Sequence, residues 1–235
     1  MAKRPGGEMA TRPLHFFWIA DCSGSMKGAK IQTLNFAIKD CIPEMARVAD
    51  ENPNAQVLVR AVKFSNGAAW HVSTPTLVHD FKWGDLEAEG LTDLGAALRM
   101  VGDELKMQPQ GPMTDRALPP VLVLISDGQP TDDWAAGLKA LMDEPWGKKA
   151  VRIAVAIGED AAQEVLQKFI GNPDIKVLAA NNPEALVAHI KWVSTAVLKS
   201  ASSPASTTKD ASTSGGNVPI PIPAPDSSTG GSDVW

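Results

Sequence analysis

Short apolar runs alternate with longer stretches of helical periodicity along the chain, and this alternation predicts an α/β domain built around a mostly parallel sheet. The clearest predicted strands are "HFFWIA" at 15–20, "QVLVRAVKF" at 56–64, "PVLVLIS" at 120–126, "VRIAVAIG" at 151–158 and "IKVLAA" at 175–180. The last three are apolar nearly throughout, which indicates burial on both faces. A sixth segment, "AAWHVST" at 68–74, follows the turn signal "SNG" and predicts an antiparallel edge strand.

Apolar residues spaced three and four apart predict helices between these strands. The predicted helices cover 30–52, 92–105, 132–143, 160–170 and 183–199. Pro43 lies inside the first helix, where we expect a kink and not a break. Asn182 and Pro183 predict the start of the last helix. The pattern as a whole predicts a doubly wound, Rossmann-like sheet of six strands with helices on both faces.

The composition of the two ends differs from that of the middle. We expect residues 1–12 to form a flexible extension and residues 13–199 to form one α/β domain. After Lys199 the sequence is dominated by Ser, Thr, Gly, Pro and Ala. Such a segment lacks the apolar periodicity that offsets the entropy cost of ordering, so residues 200–235 are predicted to be a disordered tail.

Composition and charge exclude several classes of protein. A chain of 235 residues, 44% hydrophobic and 21% charged, suits one globular domain with appendages. A formal net charge of -5 argues against nucleic-acid binding, which usually requires a basic surface. The two cysteines form no disulfide framework, and no apolar run is long enough for export or for a membrane span. We therefore expect a cytoplasmic protein with no membrane or nucleic-acid partner.

Polar side chains follow two of the predicted strands and precede one predicted helix. Asp21, Ser23 and Ser25 come directly after the first strand, Asp127 follows the predicted strand at 120–126, and Thr92 lies at the start of a helix. In a doubly wound sheet, ligands bind beyond the carboxyl ends of the strands. The alternate spacing of the first three residues allows their side chains to face one ion. These residues are therefore candidate metal ligands.

The chemistry of this candidate site is that of hard oxygen donors. Two carboxylates and three hydroxyls suit Mg²⁺, with Mn²⁺ or Ca²⁺ as alternatives, and do not suit zinc. So few carboxylates leave a divalent cation undercompensated. We therefore expect such a site to bind an acidic group of another molecule.

The segments "DCSGSM", "GLTDLGAAL" and "ISDGQPTDD" resemble the three parts of the metal-ion-dependent adhesion site of von Willebrand factor A domains. The resemblance covers residues 13–198, and the five matching positions are Asp21, Ser23, Ser25, Thr92 and Asp127. It implies a six-stranded sheet, a bound Mg²⁺ and a partner protein that supplies a carboxylate to the metal. Within the family, the segments "HFFWIADCSGSMKG" and "VLVLISDGQPTDDW" are most similar to bacterial TerY-like proteins of tellurite-resistance systems. This similarity implies a Ser/Thr kinase or phosphatase as partner.

An enzyme is the alternative interpretation of the same residues. An aspartate after an apolar first strand also resembles haloacid-dehalogenase phosphatases, in which that acid is a nucleophile and Mg²⁺ is required. Those enzymes need a second aspartate two residues later as general acid, and here that position is Ser23. The sequence therefore favours an interaction module without catalysis over a Mg²⁺-dependent phosphohydrolase.

Four further residues are candidate partner contacts, and two are candidate phosphorylation sites. Trp83 and Trp134 are interpreted either as exposed anchors beside the site or as core residues. In the tail, Thr207 and Thr208 are candidate phosphorylation sites, and Val234 with Trp235 is a candidate apolar anchor. The opposing interpretation of the tail is a plain solubilising linker.

Overall fold

A computed structural model describes residues 11–106, 113–159 and 161–202. Its six strands are β1 (Arg12–Asp21), β2 (Ala55–Ser65), β3 (Gly67–Leu77), β4 (Val121–Ser126), β5 (Val151–Ile157) and β6 (Leu178–Ala180). They form one sheet in the order β3-β2-β1-β4-β5-β6, in which only the β2–β3 pairing is antiparallel. This topology confirms the predicted fold class, including the antiparallel edge strand.

Within the described residues, seven α-helices connect and cover the strands. They are α1 (Ala29–Asp50), α2 (Leu94–Glu104), α3 (Trp134–Asp143), α4 (Pro145–Lys149), α5 (Gln163–Ile170), α6 (Pro183–Trp192) and α7 (Leu198–Ser202). A short 3-10 turn at Gly24–Met26 precedes α1, and a π-helical segment at Val193–Val197 joins α6 to α7. None of the helices in the described ranges is long and apolar enough to cross a lipid bilayer.

The two faces of the sheet carry separate hydrophobic clusters because successive side chains of a strand point to opposite sides. Phe16 and Trp18 of β1 are fully buried on the face covered by α1, α6 and α7. Phe17 and Ile19 are fully buried on the other face, against α2, α3 and α5. A strand with nonpolar residues on both faces is the expected result of helices on both sides of the sheet.

The observed helix ends differ from the predicted ones by a few residues. Asn182 caps α6 as predicted, with its side-chain oxygen accepting a hydrogen bond from the Ala185 amide at 2.8 Å. The predicted last helix, 183–199, continues to Ser202 through the π-helical segment. Helix α1 runs without interruption past Pro43.

The sheet topology places two strand ends side by side. Strands β1 and β4 are parallel neighbours, with Ala20 opposite Ile125. The next residues along the two strands are therefore Asp21 and Ser126, and the chain then enters the loop that begins with Asp127. This pairing brings two of the candidate site segments together at the carboxyl edge of the sheet.

Candidate metal site

Asp21 is the last residue of β1, and its carboxylate is fully buried. One oxygen, Oδ1, accepts a hydrogen bond from the Ser23 amide at 2.8 Å, and Oδ2 accepts one from Ser126 Oγ at 2.6 Å. Burial raises the pKa of Asp21; the hydrogen bonds from Ser126 and Ser23 lower that pKa, and the negative charge of Asp127 raises it. The fold therefore holds a carboxylate in a place where its charge needs compensation.

Ser23 and Ser25 lie in the turn between β1 and α1, and their hydroxyls connect the two strand ends. Ser23 is 1% exposed, and its Oγ lies 3.0 Å from Ser25 Oγ. Ser25 is exposed, and its Oγ donates a hydrogen bond to Asp127 Oδ1 at 2.7 Å. A continuous chain of oxygen atoms thus runs from the β1 loop to the β4 loop.

Asp127 follows β4 and makes a second strong contact besides the bond from Ser25. Its Oδ2 accepts a hydrogen bond from Lys30 Nζ at 2.7 Å, in a salt bridge in which the Asp127 side chain is 0% and the Lys30 side chain 21% exposed. A buried carboxylate is costly unless it is paired, and Lys30 provides the pairing. Lys30 is not among the residues that the sequence predicts for the site.

Thr92 belongs to the loop before α2, and its backbone is fixed to the β4 loop by two hydrogen bonds. The Thr92 amide donates to Thr131 Oγ1 at 3.0 Å, and the Thr92 carbonyl accepts from the Thr131 amide at 2.9 Å. A methyl group built on Gly128 would lie 3.4 Å from Thr92 Oγ1 and 3.5 Å from Ser25 Oγ. The hydroxyls of Thr92 and Ser25 therefore flank the same glycine, whose missing side chain leaves the space between them open.

The five predicted residues are thus brought to one place by three separate loops. All of their side-chain donors are oxygen atoms, and within the described ranges no group of three or more His, Cys, Asp and Glu residues could hold a metal ion. Two carboxylates with neighbouring hydroxyls fit a hard divalent cation by the ordinary preference of such ions for oxygen.

Three residues near the site were missed by the sequence analysis. Ser126 donates to Asp21, Thr131 holds the Thr92 loop, and Lys30 neutralises Asp127. Ser126 and Thr131 flank Asp127 in the segment "ISDGQPTDD", so their closeness to the site follows from their position in the sequence. Lys30 lies in the first turn of α1, five residues after Ser25. The sequence alone does not show that its side chain points towards Asp127.

The two tryptophans occupy different environments. Trp83 is 6% exposed, its Nε1 donates to Asn35 Oδ1 at 2.9 Å, and it packs in the core, so the exposed anchor considered for this position is not found. Trp134 begins α3, is partly buried, and has Lys168 Nζ 5.7 Å from its ring centre. The candidate tail residues Thr207, Thr208, Val234 and Trp235 lie outside the described residues.

Comparison with protein families agrees with the geometry. The model of the von Willebrand factor type A domain matches residues 17–191, which is well over half of the chain. The chain belongs to the von Willebrand factor type A family. A comparison with curated protein sequences finds no match.

Several solved structures of von Willebrand factor A domains and other proteins share the fold. A von Willebrand factor type A protein from Catenulispora acidiphila is 18% identical with a TM-score of 0.58, and the alignment covers 80% of this chain and 43% of that one. Proximal thread matrix protein 1 from the mussel byssus, with a zinc-occupied metal-ion-dependent adhesion site, gives 18% identity, a TM-score of 0.58 and coverages of 80% and 48%. The pilus adhesin SpaC from Lactobacillus rhamnosus GG gives 14% identity, a TM-score of 0.62 and coverages of 80% and 31%.

These similarities have defined limits. The chain spans less than half of the length of each of the three proteins, and at such identities the likeness shows the fold alone. The predicted similarity to TerY-like proteins is not supported by these comparisons. The mussel protein holds zinc at its metal-ion-dependent adhesion site, an ion that the donor chemistry disfavours for this chain.

Proposed function

We propose that this von Willebrand factor A domain is a metal-dependent protein-interaction module. In this proposal a divalent cation is held by the five oxygen-donor residues Asp21, Ser23, Ser25, Thr92 and Asp127. When bound, the cation supplies a positive centre that accepts a carboxylate oxygen from a partner protein. The observation that carries the proposal is the direct contact between the β1 and β4 loops, in which Ser25 Oγ lies 2.7 Å from Asp127 Oδ1.

The donor set favours Mg²⁺ as the resident ion, with Mn²⁺ and Ca²⁺ as alternatives, because hydroxyl and carboxylate oxygens are the ligands that these ions prefer. Zinc is a further candidate because a structural neighbour holds it at the corresponding type of site. Titration of one metal-free protein sample with each of the four ions would rank them.

An interaction module is supported over a phosphohydrolase by the residue two positions after Asp21. That residue is Ser23, whose hydroxyl lies 3.0 Å from Ser25 Oγ and has no acidity suited to protonating a leaving group. Domains of this family are generally interaction modules. In this proposal the protein binds its partner and catalyses no reaction.

The identity of the partner is proposed only from the sequence resemblance to TerY-like proteins. That resemblance favours a Ser/Thr kinase or phosphatase of a bacterial stress-response system. A cytoplasmic location, expected from the cysteine content of the sequence, is part of the same proposal. The tail, with Thr207 and Thr208 as phosphorylation sites and Val234–Trp235 as anchor, is proposed as a second docking element. Truncation after Ser202, with and without a co-expressed kinase, would show whether the tail contributes to partner binding.

The metal-binding proposal is tested by calorimetric titration of Mn²⁺ into the wild type, Ser25→Ala and Thr92→Ala. We expect binding by the wild type and a loss of affinity of at least about tenfold in both variants, since each removes one proposed oxygen donor. Ser73→Ala, which changes an exposed serine of edge strand β3, is the matched control and should bind like the wild type.

The interaction is tested by retention of proteins from a cell extract on the immobilised wild type, with Mg²⁺ or with EDTA. We expect at least one protein to be retained with Mg²⁺ and lost with EDTA or with Ser25→Ala. Hydrolysis of an aryl phosphate that needs Mg²⁺ and disappears in Asp21→Asn would overturn the proposal in favour of the phosphohydrolase.

A further inference from the structure

Lys30 places an ammonium group inside the candidate metal site. Its Nζ lies 2.7 Å from Asp127 Oδ2, next to the strand ends of β4 and β5. Gly158, directly after β5, has a φ of 79°, and a methyl group built on it would lie 3.6 Å from Lys30 Nζ. The ammonium is therefore lodged against the sheet edge and is only partly open to solvent.

Both oxygens of Asp127 are engaged by this chain. Ser25 Oγ donates to Oδ1 at 2.7 Å, and Lys30 Nζ donates to Oδ2 at the same distance. The first contact joins two proposed metal ligands, whereas the second brings a positive charge. A divalent cation that approaches Asp127 therefore meets a carboxylate whose charge is already partly compensated.

The charges of the site follow from these contacts. When both carboxylates are ionised, Asp21 and Asp127 with the ammonium of Lys30 together carry one net negative charge, since two negative charges are reduced by one positive charge. A divalent cation added to this set would leave one net positive charge. At short range in a partly buried site, the positive charge of Lys30 strongly changes the affinity of the site for a divalent cation.

We propose that Lys30 is a built-in counter-cation that weakens divalent-cation binding by the site and gives the occupied site its preference for an anionic group of a partner. This inference rests on the proposed function, because it assumes that the site binds a metal. It adds a determinant of affinity and specificity that is not one of the metal ligands. The positive charge of Lys30, and not its hydrogen bond, is the property that matters.

The test is a calorimetric titration of Mn²⁺ into metal-free wild type and three variants. Lys30→Gln removes the charge and keeps a hydrogen-bond donor, Lys30→Arg keeps the charge, and Lys27→Gln removes an exposed charge from the turn before α1. We expect Lys30→Gln to bind Mn²⁺ at least about tenfold more tightly than the wild type, because a nearby like charge has gone. Lys30→Arg and Lys27→Gln should remain within about threefold of the wild type.

The direction of the effect separates electrostatics from structural damage, because a damaged site loses metal affinity and does not gain it. Lys30→Met replaces Lys30→Gln if the latter is not folded by circular dichroism. Equal or weaker Mn²⁺ binding in the folded neutral variant would overturn the proposal while leaving the metal site intact. Absence of Mn²⁺ binding in the wild type and in all variants would overturn the proposed function together with it.

The preference for an anion is measured by repeating the titrations in acetate and in chloride at equal ionic strength. We expect acetate to tighten Mn²⁺ binding to the wild type more than to Lys30→Gln. An equal effect of acetate on the two proteins, or no effect on either, would contradict the second half of the proposal.

Discussion

Ser126 controls the carboxylate of Asp21 although it contributes no atom to the proposed ligand set. It is 3% exposed at the end of β4, and its hydroxyl donates to Asp21 Oδ2 at 2.6 Å. Hydrogen bonds to buried charged groups are stronger than those between neutral groups. Ser126 thereby orients Asp21 and offsets part of the desolvation that raises the pKa of Asp21.

Replacing Ser126 with Ala should weaken metal binding by about 10- to 100-fold, the range typical for groups that orient metal ligands. Asp21 Oδ2 would lose its hydrogen-bond donor, and the pKa of Asp21 would rise further. Protons would then compete more strongly with the metal for this carboxylate. Mn²⁺ titration at pH 7.5 measures the effect. Ser194→Ala, which removes another buried hydroxyl in the segment after α6, serves as the control with unchanged affinity.

A Ser126→Ala protein that binds Mn²⁺ within about twofold of the wild type would show that Asp21 needs no such support. It would also imply that the carboxylate reaches the metal in another orientation.

The residues of the site were predictable to the extent that they lie in the local pattern of one strand end. Asp21, Ser23 and Ser25 were recognisable because alternate positions after an apolar strand share one side. Lys30 was not recognisable, because its contact with Asp127 spans 97 positions and depends on where α1 begins. Sequence spacing gives the identity of nearby donors but not the salt bridge that forms between distant segments.

At the scale of elements, the start of helix α2 is held by a residue from another segment. Both carboxylate oxygens of Asp132 accept hydrogen bonds, from the Gly95 amide and the Ala96 amide, each at 2.8 Å. Free amides at a helix start normally need a capping side chain, and a negative charge there is favourable. Asp132 lies in the loop after β4 and provides both the capping oxygens and the negative charge. It therefore ties the start of α2 to the loop that carries Asp127.

Asp132→Ala should lower the free energy of unfolding by about 1–2 kcal/mol, the usual cost of losing a helix cap. Urea denaturation followed by circular dichroism measures this change. Asp103→Ala, an exposed acid of α2 paired with Lys106, is the control and should change stability by less than about 0.5 kcal/mol. Equal stability of the two variants would mean that the α2 start is held by its other contacts.

The fold was predictable where elements are long and strongly patterned. The apolar runs at 120–126 and 151–158 predicted β4 and β5 closely, because burial on both faces requires nonpolar residues at every position. The five-residue helix α4 and the turn at Gly24–Met26 were not predicted, since they are too short to show a period. Strand β6 has only three residues, and the predicted run 175–180 was longer because apolar character extends beyond the paired part.

At the scale of the whole molecule, the stability of the described domain comes from two hydrophobic clusters that do not include the site. Trp18 and Leu34 are fully buried in one cluster, and Leu98 and Leu124 are fully buried in the other. Burial of such side chains contributes about 1.5–3 kcal/mol each. The metal site lies at the sheet edge, and its loops are tied by hydrogen bonds between protein groups. The domain should therefore fold without a metal ion.

Removal of the metal should lower the melting temperature without destroying the fold, because a ligand stabilises a protein only through its binding to the folded state. A ligand at 100 times its dissociation constant adds about 2.7 kcal/mol. For a domain of this size, each kcal/mol corresponds to about 2–4 °C, so EDTA should lower the melting temperature of the Mg²⁺-saturated protein by no more than about 10 °C. Thermal unfolding in EDTA should stay cooperative, and the near-ultraviolet circular dichroism of the buried tryptophans, Trp18 among them, should persist at 25 °C. Loss of that signal in EDTA would mean that the β1 loop organises the core, and metal binding would then be coupled to folding and not only to partner capture.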